Sequence, residues 1–219
     1  MRFALAFAAL LSLTAVASAQ TPGSGIAGSP HDFSSGSTWN GTKQNEICGV
    51  CHIPHSEGRA ATQQGDLLWG RSLSTATYTM YTSPTLDGAQ SAAPDGTSAL
   101  CLGCHDGTVG LEHFDGTTTG STLIQSINTW LQTPADMSNE HPISIVYDDA
   151  LDTGLNPKTA TFGTGTIQDV LEGTTNKVQC ASCHDVHNKD VESTAVRLLR
   201  IDNSKAASPS ALCLACHNK

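Results

Sequence analysis

The stretch that decides the fold is Cys48-Gly-Val-Cys51-His52-Ile-Pro-His55. Two cysteines separated by two residues and followed at once by histidine are the attachment signature of c-type haem. In such a site the cysteines form thioethers with the two haem vinyl groups. The adjacent histidine, here His52, becomes the proximal ligand of the iron.

The same signature occurs three more times, and the four motifs use all eight cysteines of the chain. A zinc module is a weaker interpretation, because structural zinc pairs two Cys-x-x-Cys knuckles without a fixed histidine after each. The sequence therefore predicts four covalently bound haem c groups. The further motifs are Cys101-Leu-Gly-Cys104-His105, Cys180-Ala-Ser-Cys183-His184 and Cys213-Leu-Ala-Cys216-His217.

Residues 1–19 are typical of a secretory signal peptide. Arg2 precedes an apolar run from Phe3 to Val16, and Ala17-Ser18-Ala19 resembles a cleavage site. No later run approaches the ~20 apolar residues that a transmembrane helix needs. We expect an exported protein without a transmembrane segment, extracellular or at the cell surface, with the periplasm as the alternative. The net charge of −9 argues against a nucleic-acid partner.

The fold class expected from this composition is a multihaem cytochrome c. Aromatic residues make up only 5% of the chain, so the haems themselves would form the core. We expect mostly irregular structure, with short helices at the motifs and few short strands. Candidates are strands at Thr75–Thr82 and Ile143–Tyr147 and a helix capped by Ser208 and Pro209. Two dihaem halves, residues 20–120 and 121–219, would pack as one haem-cored domain.

The histidine count bears on the distal iron ligands. Of nine histidines, four are proximal, which leaves five for four irons. Bis-histidine ligation throughout is the economical interpretation, with His113 as the spare. After the signal only Met80 and Met137 remain as methionines. Since methionine ligation would raise the potential, we expect low-potential haems. The distal candidates are His31, His55, His141 and His187.

His55 and His187 each follow a proximal histidine by three residues. On a helix that spacing puts both histidines on the same side. The second one therefore cannot reach the far face of its own haem, and would have to ligate a different one. We expect stacked haem pairs from this pattern, one in each half.

Other residues are expected to support the haems. Trp39, Trp69 and Trp130 should pack against the macrocycles rather than relay electrons. Asp106 and Asp185 are candidates for hydrogen bonds to the proximal histidines.

At these motifs the sequence resembles the tetrahaem OmcE-type extracellular cytochromes, which polymerise into cytochrome nanowires. The resemblance covers nearly the whole chain after the signal. It implies bis-histidine haems in a continuous chain with alternating stacked and T-shaped contacts. It also implies that one distal histidine comes from a neighbouring subunit, His31 or one near the other end of the haem chain. It rests on His31-Asp-Phe, residues 48–55, Cys101-Leu-Gly-Cys-His-Asp-Gly-Thr108, Ser138-Asn-Glu-His-Pro-Ile-Ser144, Cys180 to Asn188 and Leu212 to Lys219.

Three functions remain open from the sequence. The first is a non-enzymatic electron conduit that assembles end to end into a filament and exchanges electrons with redox proteins or extracellular acceptors. The second is a discrete periplasmic tetrahaem carrier. The third, a multihaem oxyanion reductase, is disfavoured because such an enzyme needs an iron with an open position, and all four motifs end in histidine.

Overall fold

The structure is a computed structural model that describes residues 25–34, 46–53, 67–124, 131, 133–189, 198–203 and 209–218. The predicted signal peptide lies outside these ranges, as do His55, Trp39, Trp130 and Ser208. Everything below concerns the described ranges.

Most of the described chain is irregular, which agrees with the expected fold class. The helices are α1 (Gly96–His105), α2 (Cys180–Cys183) and α3 (Ala211–Cys216), with a 3-10 helix at Ile167–Val170. Four two-residue strands form two antiparallel pairs: β1 (Ile145–Val146) with β4 (Lys177–Val178), and β2 (Thr161–Phe162) with β3 (Gly165–Thr166).

Three of the four predicted motif helices are confirmed, because α1, α2 and α3 each carry a Cys-x-x-Cys pair. The first motif forms a single turn instead, in which the amide of His52 donates to the carbonyl of Cys48 over 2.9 Å. Helix α3 is capped at Ser210, so it begins later than Ser208 and Pro209 predicted.

One of the two strand predictions is confirmed. The segment Ile143–Tyr147 contains β1. The strand predicted at Thr75–Thr82 is wrong: the segment makes one isolated bridge, between Thr79 and Asp136. A Thr/Ser-rich segment has the β-propensity of a strand, but here it has no continuous partner to pair with.

Apolar packing is limited to small clusters beside the motifs. One contains Tyr147, Phe162, Ile167, Ile201 and Leu212 and packs against the third and fourth motifs. The other contains Leu102, Leu131, Met137 and Ile143. Within the described residues no helix is long and apolar enough to cross a membrane.

A buried polar network joins α1 to α2. Gln179 is only 2% exposed. Its side-chain oxygen accepts hydrogen bonds from Ser98 (2.5 Å) and Ser144 (3.1 Å), while its amide nitrogen donates to Asp95 (2.7 Å). The amide of Cys180 in turn donates to the Ser98 hydroxyl over 3.0 Å. The network therefore holds the second motif against the third. The division of the chain near residue 120 stays a prediction.

Replacing Gln179 with Met should destabilise the protein. The Ser98 and Ser144 hydroxyls would then be buried without their acceptor, at a cost of about 2 kcal/mol, which lowers Tm by roughly 4 to 8 °C. Thermal unfolding of the haem-loaded protein followed by circular dichroism measures the change. Gln168→Met is the matched control, because Gln168 is exposed and water can replace its hydrogen bond to Asn176. Equal Tm losses in the two variants would contradict the role of the network.

Candidate metal centre

All eight predicted thioether cysteines lie in the described part of the chain, and none is in a disulfide. Their thiols bring different motifs together. The thiols of Cys101 and Cys180 are hydrogen-bonded to each other. Burial, and next the charge of Cys216, raises the pKa of the Cys183 thiol to about 12. The second motif thus meets the third, and the third meets the fourth.

Three of the predicted distal histidines face a predicted proximal histidine of another part of the chain. The ring centroids of His31 and His105 are 6.0 Å apart, with 50° between the ring planes. The separation is 6.2 Å for His52 and His187, at 19°, and 6.2 Å for His141 and His217, at 63°.

These separations fit an iron atom between the two rings. An imidazole nitrogen binds a transition metal at about 2 Å, so two such bonds on opposite sides of one metal hold the ring centroids roughly 6 Å apart. A haem iron takes four ligands from its macrocycle and needs only two from the protein, which is what each pair offers.

Hydrogen bonds at Nδ1 orient two of these rings. His52 Nδ1 lies 2.7 Å from the carbonyl of Leu67, and His141 Nδ1 lies 2.9 Å from the carbonyl of Pro142. A carbonyl can only accept, so Nδ1 must carry the proton in both rings. In the neutral form of the ring the other nitrogen, Nε2, is then unprotonated and able to bind a metal, as in other histidine metal sites.

His31 is suited to metal binding by its burial. Burial, and then the charges of His105, His184 and His187, lowers the pKa of His31 to about 4. The ring is thus neutral at physiological pH, which is the form that binds metals. Its Nδ1 is buried without a hydrogen-bond partner. Since buried polar atoms in proteins almost always have a partner, a bound group that is not part of the polypeptide would explain this one.

His113 differs from the other candidates in its hydrogen bonding. Its Nε2 lies 3.1 Å from the carbonyl of Gly120, so that nitrogen is protonated and occupied. Met137 is buried in an apolar cluster and Met80 packs against it.

That Asp106 and Asp185 support the proximal histidines stays a prediction, and both carboxylates lie near other groups as well. Asp106 is buried and accepts hydrogen bonds from the Tyr78 hydroxyl (2.5 Å) and from the amide and hydroxyl of Thr108. The carboxylate of Asp185 lies 4.0 Å from Nδ1 of His187, one of the distal candidates.

The pairing bears on the expectation of one stacked haem pair in each half, which stays a prediction. His187 faces His52, which lies in the first predicted half, and this contact favours a haem pair formed across the two halves. His31 faces His105 of its own chain, which gives no support to His31 as the residue that crosses between subunits. His55, the remaining distal candidate, lies outside the described residues.

No group of three or more His, Cys, Asp or Glu side chains in the described ranges is placed to hold a bare metal ion. A zinc knuckle would need four such side chains around one ion. Sequence reasoning missed one feature near the first motif, the buried Arg71 beside Trp69. A single arginine in a loop carries no motif, so only the packing reveals it.

Residues 173–219 match a family model described as the doubled CXXCH motif. The match includes the third and fourth motifs. No curated protein and no solved structure matches the chain. The doubled motif indicates covalently bound haem c and a multihaem c-type cytochrome that transfers electrons.

Removing any one distal histidine should open one iron to an external ligand. We expect His31→Ala, His141→Ala and His187→Ala each to bind about one carbon monoxide per chain after reduction, measured by titration of the Soret band. The control is His113→Ala, which should bind as little as the unmodified protein, because Nε2 of His113 is committed to Gly120. Carbon monoxide binding by the control, with none by the three others, would show that the distal assignments are wrong.

Proposed function

We propose that this chain is a tetrahaem c-type cytochrome that carries electrons by haem-to-haem hopping as the repeating subunit of an extracellular filament. The observation that carries electron transfer is the set of three histidine pairs with ring centroids 6.0–6.2 Å apart. Filament assembly and export rest on the resemblance to OmcE-type cytochromes and on the signal-like residues 1–19.

The fourth pair in this proposal is His55 with His184. His187 follows His184 by three residues and faces His52. His55 follows His52 by the same three residues, so the same geometry prevents it from binding the iron of its own haem. Because His187 of the third motif faces the proximal histidine of the first, we assign His55 of the first motif to the proximal histidine of the third, His184. The first and third motifs would then exchange distal ligands, and their macrocycles would be held close together.

The bound haems supply one-electron exchange between Fe(III) and Fe(II). The chain's own residues set the distances for that exchange. The sulfur atoms of Cys101 and Cys180 are neighbours, so the second and third attachment sites would lie side by side, and Cys183 and Cys216 pack against one apolar cluster, which would do the same for the third and fourth. Two histidines per iron would leave no open coordination position, which would suit electron transfer and not oxyanion reduction.

A discrete soluble carrier is the second candidate, and one observation favours it. His31 meets His105 within one chain, so its distal ligation does not require a neighbouring subunit. The filament proposal therefore needs an end-to-end contact that does not depend on His31. A heterologous contact whose rotation does not close would generate the filament.

Electron microscopy of the protein released from its native host separates the two candidates. We expect filaments whose dissociated subunits give a haem-stained band of this chain, because a conduit must bring the terminal haems of adjacent subunits together. The same fraction from a host that lacks the gene is the control. Particles of one subunit mass only, under conditions that preserve other assemblies, would favour the carrier.

A further inference from the structure

Two buried N–H groups near the first motif have no hydrogen-bond partner. They are Trp69 Nε1 and Arg71 Nε. Both groups are donors only, so each can be satisfied only by an acceptor. Residues two apart in extended chain point to the same face. Trp69 and Arg71 each form a β-bridge, with His52 and Phe114, so the segment between them is extended. The two donors therefore share one side of it.

Arg71 is a buried cation that makes no ion pair with a carboxylate of the described residues. It is 1% exposed. Its terminal nitrogens donate to the carbonyls of Leu111 (3.2 Å) and Gly110 (3.5 Å), and its guanidinium lies 5.7 Å from the centroid of the Phe114 ring. These contacts solvate the cation only in part, and a buried cation is costly unless an anion pairs with it.

Asp106 is the buried carboxylate nearest in sequence to this region, and its oxygens are already used. They accept from Tyr78 and Thr108, and Asp106 makes no ion pair with Arg71 in the described part of the chain. The balancing acceptor must therefore be sought outside the described side chains.

The position of the donors indicates where that acceptor comes from. The Trp69 ring stands edge-on to His52, with centroids 5.8 Å apart. Arg71 hydrogen-bonds to the Cys104 thiol, and its charge also acts on the Cys51 thiol. The donors thus lie between the first and second attachment sites. Each haem carries two propionates, so carboxylates are the anions that haem attachment brings to this place.

We propose that Trp69 Nε1 and Arg71 Nε bind one haem propionate, contributed by the haem of the first or the second motif. This inference rests on the proposed function. The bond would be charge-assisted and stronger than a neutral one, because both the guanidinium and the carboxylate are ionised. Arg71 would also favour the reduced iron of the nearby haems, since its positive charge opposes the additional positive charge of Fe(III).

The test compares Arg71→Met and Trp69→Phe with the unmodified protein. Haem content per chain and the low-spin spectrum are measured first, because four bis-histidine haems in the unmodified protein test the haem ligation of the proposed function independently of this site. Arg71→Met should make reduction of one haem about tenfold less favourable, which is a potential lower by about 59 mV for one electron. Redox titration followed by optical spectroscopy measures it.

Trp69→Phe keeps the charge and removes only the donor. It should leave the potentials close to those of the unmodified protein and shift a propionate bending band in the resonance Raman spectrum. If both donors serve one carboxylate, the band shift of the double variant should differ from the sum of the single shifts. Arg200→Met is a matched control, because Arg200 is a cation beside the third motif, where it donates to the carbonyl of Ala181 over 2.9 Å. It should leave that band unchanged.

Paramagnetic NMR of the haem methyl groups assigns the shifted potential to the first or the second haem and so identifies the propionate. Unchanged potentials in Arg71→Met, or an unchanged propionate band in Trp69→Phe, would overturn the proposal. The proposal would also be overturned if a reduction potential of the unmodified protein changed when phosphate replaced chloride in the buffer, since a solution anion would then occupy the site. Because Trp69→Phe is conservative, it keeps the test decisive if Arg71→Met fails to accumulate.

Discussion

The constraint on which the rest of this structure depends is the approach of two imidazole rings to a distance that admits one metal atom. It occurs at three places, and each joins segments far apart in the sequence: His31 with His105, His52 with His187, and His141 with His217. The apolar clusters beside the motifs are small. Axial bonds of this kind would close long loops and restrict the unfolded chain, so a Gly- and Thr-rich sequence can hold a defined structure with little regular secondary structure.

Protein contacts complement that metal-centred geometry where two motifs meet. Gln179 is buried among Ser98, Ser144 and Asp95, and this network fixes α1 against α2. Gly96, at the start of α1, has φ +52°, and a Cβ there would lie 2.9 Å from the side chains of both Gln179 and Glu172. The positive φ favours glycine at this position, and a larger residue would also have to displace the ends of those two side chains. The distance between the second and third attachment sites is therefore set by side chains as well as by haem.

The haem attachment sites can be predicted from the sequence, because each consists of five contiguous residues. Cys180 to His184 identifies a haem site without a structure, and the spacing of His187 implies a partner other than its own haem. The sequence could not identify His52 as that partner, since the histidine that His187 faces depends on how long, aperiodic loops fold back. Arg71 was missed for a related reason: its importance lies in its burial beside Cys104 and Trp69, and burial in a loop has no periodic pattern in sequence.

The central claim is that every iron in this protein lies between two histidines of the same chain or its assembly. Near-infrared magnetic circular dichroism of the fully oxidised native protein tests it most directly, because the charge-transfer band of low-spin ferric haem depends on the axial ligands. The account predicts bands of bis-histidine haem alone, with an intensity that corresponds to four haems per chain. A band of histidine–methionine ligation, or a high-spin ferric signal from the native protein, would contradict it.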